Sequence, residues 1–320
     1  MYFSAGMFFK TIYSVRRHFS VQPRAHFSYP LSFVYFIIGD MRKTRKRSRR
    51  PDNDEIDDLV VEYAGEKSTL PGESAQLLRA KEFLDQDVLD FFIAQRARDC
   101  VEVYTFELCN TSFYRRLITA RALPRMSNVP DHVNQALVRV NYLDTQHLHP
   151  RFFSSSYVFI PVNLFDNHWV LAVVYHRNGT ASGMIATIII FDSLRSAASG
   201  AAHVQIANNI RDFMNCHWCL RHQFGVINPG RVYTDESCPL TVANIERQSN
   251  GVDCGLYVIK SAEIVMNNAS TICGHCLGSI DDIRWLEGFF TDKVVLEAKK
   301  ARACLWKELK DMSALAREQI

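Results

Sequence analysis

Four polar residues in the second half of the chain carry the chemistry this sequence is equipped for. Cys254 closes the string Gln248-Ser249-Asn250-Gly251-Val252-Asp253-Cys254-Gly255, and the apolar run Leu256-Tyr257-Val258-Ile259 follows it. A polar turn that passes straight into an amphipathic run places the cysteine at a helix N-terminus. There the helix dipole and unpaired N–H groups favour a thiolate over a thiol whose free pKa is about 8.5. Gly255 leaves room for a substrate carbonyl to approach the backbone. His168 begins a strand after the turn Asp166-Asn167, and Asp192 ends another at Ile188-Ile189-Ile190-Phe191-Asp192-Ser193. If these strands are antiparallel neighbours joined through Asn178-Gly179, both side chains lie at one edge of the sheet and can hydrogen-bond. The side-chain amide of Gln248 can join the Cys254 N–H in holding an oxyanion. Together these are a nucleophile, its base, the base's orienting group and an oxyanion donor. A cysteine or histidine met singly is more simply a buried or satisfied residue, so the weight rests on the set.

The elements that must position these residues are legible in outline. Apolar residues recur at helical spacing from Glu73 to Arg98, with a break near Leu84, and a further helical stretch runs from Thr111 to Ala122 before Pro124. The period then changes. Ser156–Val162, His168–Tyr175 and Met184–Phe191 are β-branched and aromatic runs bounded by turn residues, and read as strands of a mostly buried sheet. Helical pattern returns at Val204–Met214, at Gly255–Met266 and from Thr291 to Asp311. An α/β fold follows, with the acidic, Pro- and Gly-containing stretch from Pro51 to Gly72 as linker and one catalytic domain over residues 73–315.

Charge is divided unevenly. Residues 1–50 hold eleven Lys/Arg and one acid, Asp40, leaving 26 Lys/Arg against 33 Asp/Glu from residue 51 onward. The net +3 therefore joins a basic arm of +10 (11 − 1) to a body of −7 (26 − 33). Residues 1–40 fit a mitochondrial transit segment loosely or a plain unstructured extension, and the run Arg42–Arg50 resembles a nuclear localisation signal. A nuclear or cytoplasmic setting is expected, with a mitochondrial one as alternative. Nine cysteines, an odd count, suit a reducing compartment, where the three N-x-S/T sequons carry no meaning. The apolar stretch Leu31–Ile38 is too short for a bilayer, which needs about 20 residues.

The strings Asn167-His168-Trp169, Phe191-Asp192-Ser193-Leu194 and Gln248-x-Asn250-Gly251-x-Asp253-Cys254-Gly255 resemble the signature of the Ulp/SENP family of ubiquitin-like-protein-specific cysteine proteases. Weaker similarity takes in Phe83–Leu89, Asn110–Tyr114 and Phe159–Asn163, so the resemblance spans about residues 75–310. It implies a papain-like fold, a central mixed sheet flanked by helices, with the triad His168, Asp192, Cys254 in permuted order and Gln248 at the oxyanion. It further implies cleavage after the Gly-Gly end of a small modifier, with Trp169 covering the slender tail and Phe83, Asn250 and Gly251 contacting it. SUMO is the expected modifier and the neddylation modifier the alternative. The partner would be the modifier and its conjugates, and the chain a monomer with no need of nucleic acid, cofactor or metal. The sequence departs from the family in two places. Phe83-Leu84-Asp85-Gln86 stands where a tryptophan-leucine-asparagine-aspartate string is usual, and the Asp192–Cys254 interval suggests an inserted loop around residues 216–240.

Other readings compete. Cys216-His217-Trp218-Cys219 and Cys273-Gly274-His275-Cys276 are C-x-x-C pairs that could ligate zinc, and the Cys273–Cys276 pair also resembles a thioredoxin-type redox motif. Against both, 53 residues separate the pairs and the Cys254 string lies between them. Free thiols are the expectation. A module that binds a modifier without cutting it would lack a triad residue, and an acyltransferase of the same Cys-His chemistry would have no use for the diglycine features.

Overall fold

The computed structural model describes residues 56–100, 104–119, 134–135, 151–176, 185–196, 199–221, 232–275 and 280–318. The basic arm, the Arg42–Arg50 run and the Asn178-Gly179 turn lie outside them. In chain order the elements are β1 (Leu59–Tyr63), β2 (Glu66–Leu70), α1 (Gly72–Ala75), α2 (Leu77–Ala80), α3 (Gln86–Asp99), β3 (Phe106–Leu108), α4 (Ser112–Ile118), β4 (Tyr157–Leu164), β5 (His168–His176) and β6 (Ala186–Phe191). They continue as α5 (Ser199–Arg221), β7 (Leu240–Val242), α6 (Cys254–Asn267), α7 (Ala269–His275), α8 (Ile280–Phe289) and α9 (Ala298–Glu318).

Five strands form one mixed sheet in the order β3-β4-β5-β6-β7. The two long central pairings, β4 with β5 and β5 with β6, are antiparallel, and the short edge strands β3 and β7 pair in parallel. Every residue of β6, Ala-Thr-Ile-Ile-Ile-Phe, is buried. A continuous apolar run of this kind is what a strand covered on both faces requires. Alternate side chains divide between two cores. Tyr157, Phe159, Leu171, Val173, Ile189 and Phe191 pack with α3, α6 and α9, while Val158, Ile160, Val170, Ala172, Ile188 and Ile190 pack with α4 and α5. The sheet is thus a layer between helices, and its β5–β6 register, Leu171 opposite Phe191, carries the start of β5 and the end of β6 to the same edge.

Helix α3 begins where Asp85 accepts a hydrogen bond from the Val88 N–H at 3.0 Å, an N-cap that ends the interrupted stretch of Glu73–Arg98. Gly255 lies against this helix. A Cβ built there would meet the Leu84 Cβ at 3.0 Å and Leu89 Cδ1 at 3.1 Å, so the glycine serves the close approach of α6 to the start of α3. This helix contact is a role for Gly255 that the sequence reading, which gave it to the approach of a substrate carbonyl, did not include.

Several boundaries differ from the sequence reading. The stretch read as linker up to Gly72 contains the β1–β2 hairpin, whose Leu59, Val61 and Leu70 are buried in the core beside α3. Its two-residue turn, Ala64-Gly65, has φ of 57° and 88°, the geometry hairpins want, but alanine gives none of the usual Asn-Gly signal. Strands β3 and β7, three residues each, are too short to show a period. The C-terminal helix starts at Ala298 rather than Thr291, after α8, and the supposed loop from residue 216 begins as the last turns of α5. Among the described residues, no helix is long and apolar enough to cross a membrane.

The hairpin's place in the core has a measurable consequence. Leu70→Ala removes a side chain with no exposed surface, and should lower the unfolding free energy by about 2–5 kcal/mol in urea titrations. A linker leucine would leave the midpoint unchanged.

Candidate active site

The residues singled out in the sequence converge at that sheet edge. Cys254 is the first residue of α6, with Asp253 as N-cap, and has no exposed surface. Its Sγ accepts a hydrogen bond from the backbone N–H of Trp169 at 3.4 Å. His168 opens β5, and its Nε2 lies 2.8 Å from Asp192 Oδ1. Asp192, immediately after β6, is 3% exposed. Its Oδ1 also accepts the Leu194 N–H at 2.9 Å, and Oδ2 lies 2.8 Å from Nε2 of His203 in α5.

The electrostatics of this cluster are set by burial working against hydrogen bonds. Burial alone would raise the Asp192 carboxyl, but donors from His168, His203 and the Leu194 backbone outweigh it and hold the group well below the ordinary carboxylate range. An ionised carboxylate only accepts, so both histidines donate from Nε2. That leaves Nδ1 of His168, which is buried and completes no hydrogen bond, as the nitrogen available to the sulfur. For His168, burial alone would lower the imidazole, but the hydrogen bond with Asp192 and the nearby Cys254 sulfur lift it from 6.5 to about 9. Nucleophile, proton carrier and orienting carboxylate therefore stand in the order that thiol catalysis needs.

The turn feeding His168 is constrained. Phe165 and Asp166 both adopt left-handed backbone, φ 58° and 60°, and the Phe165 ring is 85% exposed three residues from the histidine. Such φ values cost on the order of 1–3 kcal/mol for a non-glycine residue and persist where surrounding structure imposes them.

The remaining predicted residues fall into two groups. Gln248 is buried beside the cluster. Ser193 Oγ donates to its Oε1 at 2.5 Å, and its Nε2 donates to the Asn250 carbonyl at 2.6 Å, leaving one amide hydrogen for another acceptor. Trp169 is buried, its Nε1 donates to the Leu84 carbonyl at 2.7 Å, and its ring lies nearly parallel to Phe83, centroids 6.0 Å apart. Asn250 is turned onto its own loop instead: Oδ1 accepts from the N–H groups of Val252 and Asp253, and Nδ2 donates to Asp253. Gly251 is exposed, with open space where a Cβ would stand.

Two residues at the site escaped the sequence reading. Arg302 of α9 is buried and reaches Asp253 through Nε at 2.8 Å, Leu77 O through Nη1 at 2.9 Å and Glu82 O through Nη2 at 2.7 Å. It thereby ties the Cys254 loop to the segment before Phe83. An arginine in an amphipathic helix reads as a solvated charge, so nothing marked it. His203 reads equally plainly as one polar residue of a helix, eleven positions after the aspartate it meets.

The described cysteines of the two C-x-x-C pairs belong to the cores that flank the sheet. Cys216 belongs to the core on the α5 face of the sheet, and Cys273 packs against the core on the α6 face. The Cys219 side chain and Cys276 lie outside the described residues. Among the described residues, no three His, Cys, Asp or Glu side chains are gathered as a metal would require.

Comparison with known proteins bears on the family and the fold. The family model described as "Ulp1 protease family, C-terminal catalytic domain" matches residues 82–273, well over half of the 320, and that span holds every residue of the cluster except Arg302. A protein of Arabidopsis thaliana, provisionally named ubiquitin-like-specific protease 1B, is 22% identical over 208 residues, 63% of this chain and 52% of the relative. The match thus spans about half the length of that relative. A crystal structure of a de-sumoylating protease is 19% identical, with a TM-score of 0.55, covering 80% of this chain and 92% of its own. The Ulp1 protease domain bound to Smt3, the yeast ortholog of SUMO, is 14% identical with a TM-score of 0.44, over 85% of this chain and 99% of its own. The expected fold, a central mixed sheet flanked by helices as in Ulp1-type proteases, is the fold observed.

If Asp192 holds the proton on His168, Asp192→Asn should bring the His168 titration, followed by histidine NMR, from about 9 down toward its ordinary 6.5. An unmoved titration would place the cause elsewhere.

Proposed function

This chain belongs to the Ulp1 protease family, and on that premise we propose that it is a thiol isopeptidase cutting after the C-terminal Gly-Gly of a ubiquitin-like modifier, SUMO above all. The observation that carries the reading is the placement of His168, bound through Nε2 to a buried carboxylate and free at Nδ1 beside Cys254.

In the reaction proposed, the Cys254 proton passes to His168 Nδ1, and this is the proton that the ring holds up to about 9; the Trp169 N–H and the start of α6 stabilise the sulfur anion. The thiolate attacks the carbonyl carbon of the terminal glycine, forming the C–S bond and moving the π electrons onto oxygen. The Cys254 N–H and the remaining amide hydrogen of Gln248 receive that oxyanion, and losing one such donor costs about 100- to 1000-fold in turnover. Collapse breaks the C–N bond, with the His168 imidazolium protonating the leaving lysine amine or peptide nitrogen. His168 then deprotonates a water that hydrolyses the thioester. The modifier leaves with a free carboxylate, and Cys254 regains its proton.

The preference for a diglycine tail is supported by Trp169 and Phe83. A backbone lying between two aromatic faces needs van der Waals contact of about 3.5–4.0 Å on each side, or about 7–8 Å in all. These ring centroids are 6.0 Å apart, so the rings must part slightly for a tail without side chains, and much further for any other. The choice of SUMO rests on the Gln248–Gly255 string, which is nearest to the desumoylating branch, and on the fold shared with a de-sumoylating protease.

The deciding experiment is a panel of modifier C-terminal probes that trap active thiols, applied to the wild type and to Cys254→Ala. SUMO should label the wild type and leave the variant untouched. No labelling by any modifier sinks the hydrolase reading, whereas labelling by the neddylation modifier alone sinks only the choice of SUMO. The rate should also carry an alkaline limb. His168 holds its proton below about 9 and loses it above, removing the acid for the leaving amine, so kcat/KM should fall as pH rises through that value. A rate flat to pH 10 would contradict this role.

A further inference from the structure

We propose that His203 is a positioning residue of this site: its Nε2–H, donated to Asp192 Oδ2 from within α5, fixes the carboxylate plane so that Oδ1 stays directed at His168. The proposal rests on the reading of Cys254, His168 and Asp192 as the reacting set, and it concerns a residue that does not touch the sulfur.

Geometry carries it. An aspartate carboxylate turns about a terminal torsion that is broad and roughly two-fold, so it has little preference of its own. The two hydrogen bonds nearest the chemistry, from His168 Nε2 and the Leu194 N–H, both end on Oδ1. With those alone the group could rotate and exchange its oxygens. His203 supplies a donor to the other oxygen, at 2.8 Å, from within α5. Its side chain is 3% exposed and the aspartate's 2%, so the pair is shielded from bulk solvent. Helix α5 is anchored against the sheet by Ile206, Ile210 and Phe213, which makes the donor's position a property of the core.

The chemistry agrees. Asp192 is ionised, so His203 must donate from Nε2, as His168 does. The titratable groups acting on Asp192 are His168 and His203, and those acting on His168 are Asp192 and Cys254. A bare packing histidine would leave Oδ2 without a donor, and an apolar residue at 203 would do the same.

The test is histidine NMR on the full chain, which needs no substrate. In the wild type the neutral His203 ring should carry its proton on Nε2, and an Nδ1–H tautomer would overturn the proposal without any variant. His203→Leu, which keeps the volume but removes the donor, should lower the His168 titration by about one unit or more. His203→Gln, which keeps an N–H donor, should restore most of that shift. With the modifier substrate, the leucine variant should lose kcat while KM holds. A His168 titration unchanged in His203→Leu, or a loss confined to KM, would reduce His203 to core packing. Because the titration is read without a modifier, a chain that cuts none would overturn the proposed function and leave this result standing.

Discussion

The site depends on one ionised carboxylate kept in the protein interior. Moving such a group out of water costs several kcal/mol, and it stays charged only where donors replace the lost solvent. Asp192 has three, and none comes from solvent: His168, His203 and the Leu194 backbone. Their net effect is to hold the carboxyl well below its usual range despite burial. The charge so maintained keeps the proton on His168 to about 9, and its hydrogen bond with Nε2 orients the ring so that Nδ1 is left for Cys254. The sheet exists, in functional terms, to make this meeting possible: the antiparallel β5–β6 register delivers the histidine and the aspartate to the same edge, and α6 brings the cysteine to it.

Another buried charge stabilises the other side of the site. Arg302 and Asp253 are each almost fully buried and paired at 2.7 Å, with the guanidinium also satisfied by the carbonyls of Leu77 and Glu82. Removing one member of such a pair strands the other, a loss of about 3–5 kcal/mol. Here the pair joins three separate stretches of chain: the C-terminal helix, the loop that ends in Cys254, and the segment leading to Phe83. The same loop is stiffened from within by Asn250, whose carboxamide bonds to Val252 and Asp253. The nucleophile is therefore held by side chains whose own positions are fixed, which is what a small tolerance in attack geometry demands.

Legibility in the sequence followed the physics of each element. The β-branched runs of β4, β5 and β6 were readable because strands covered on both faces must be apolar throughout, and the turn before Cys254 was readable because a polar loop running into an apolar helix has few other meanings. His168 and Asp192 followed from those strands. The β1–β2 hairpin was not readable, since Ala64 stands where a turn signal would be expected, and β3 and β7 are too short to have a period. The helix contact of Gly255 was not readable because its neighbours there, Leu84 and Leu89, are some 170 residues away in sequence. Arg302 and His203 were invisible for a related reason: a polar residue in a helix is assumed solvated until the tertiary structure supplies a buried partner.

The central claim is that Cys254 forms a covalent acyl intermediate with a modifier's terminal glycine, and intact-mass spectrometry after rapid acid quenching measures this directly. With a SUMO conjugate in excess, the protein should gain the mass of SUMO less one water, as a thioester that hydroxylamine cleaves and that maps to Cys254. A folded protein that releases free SUMO with no such adduct, or carries the adduct on another cysteine, would contradict it.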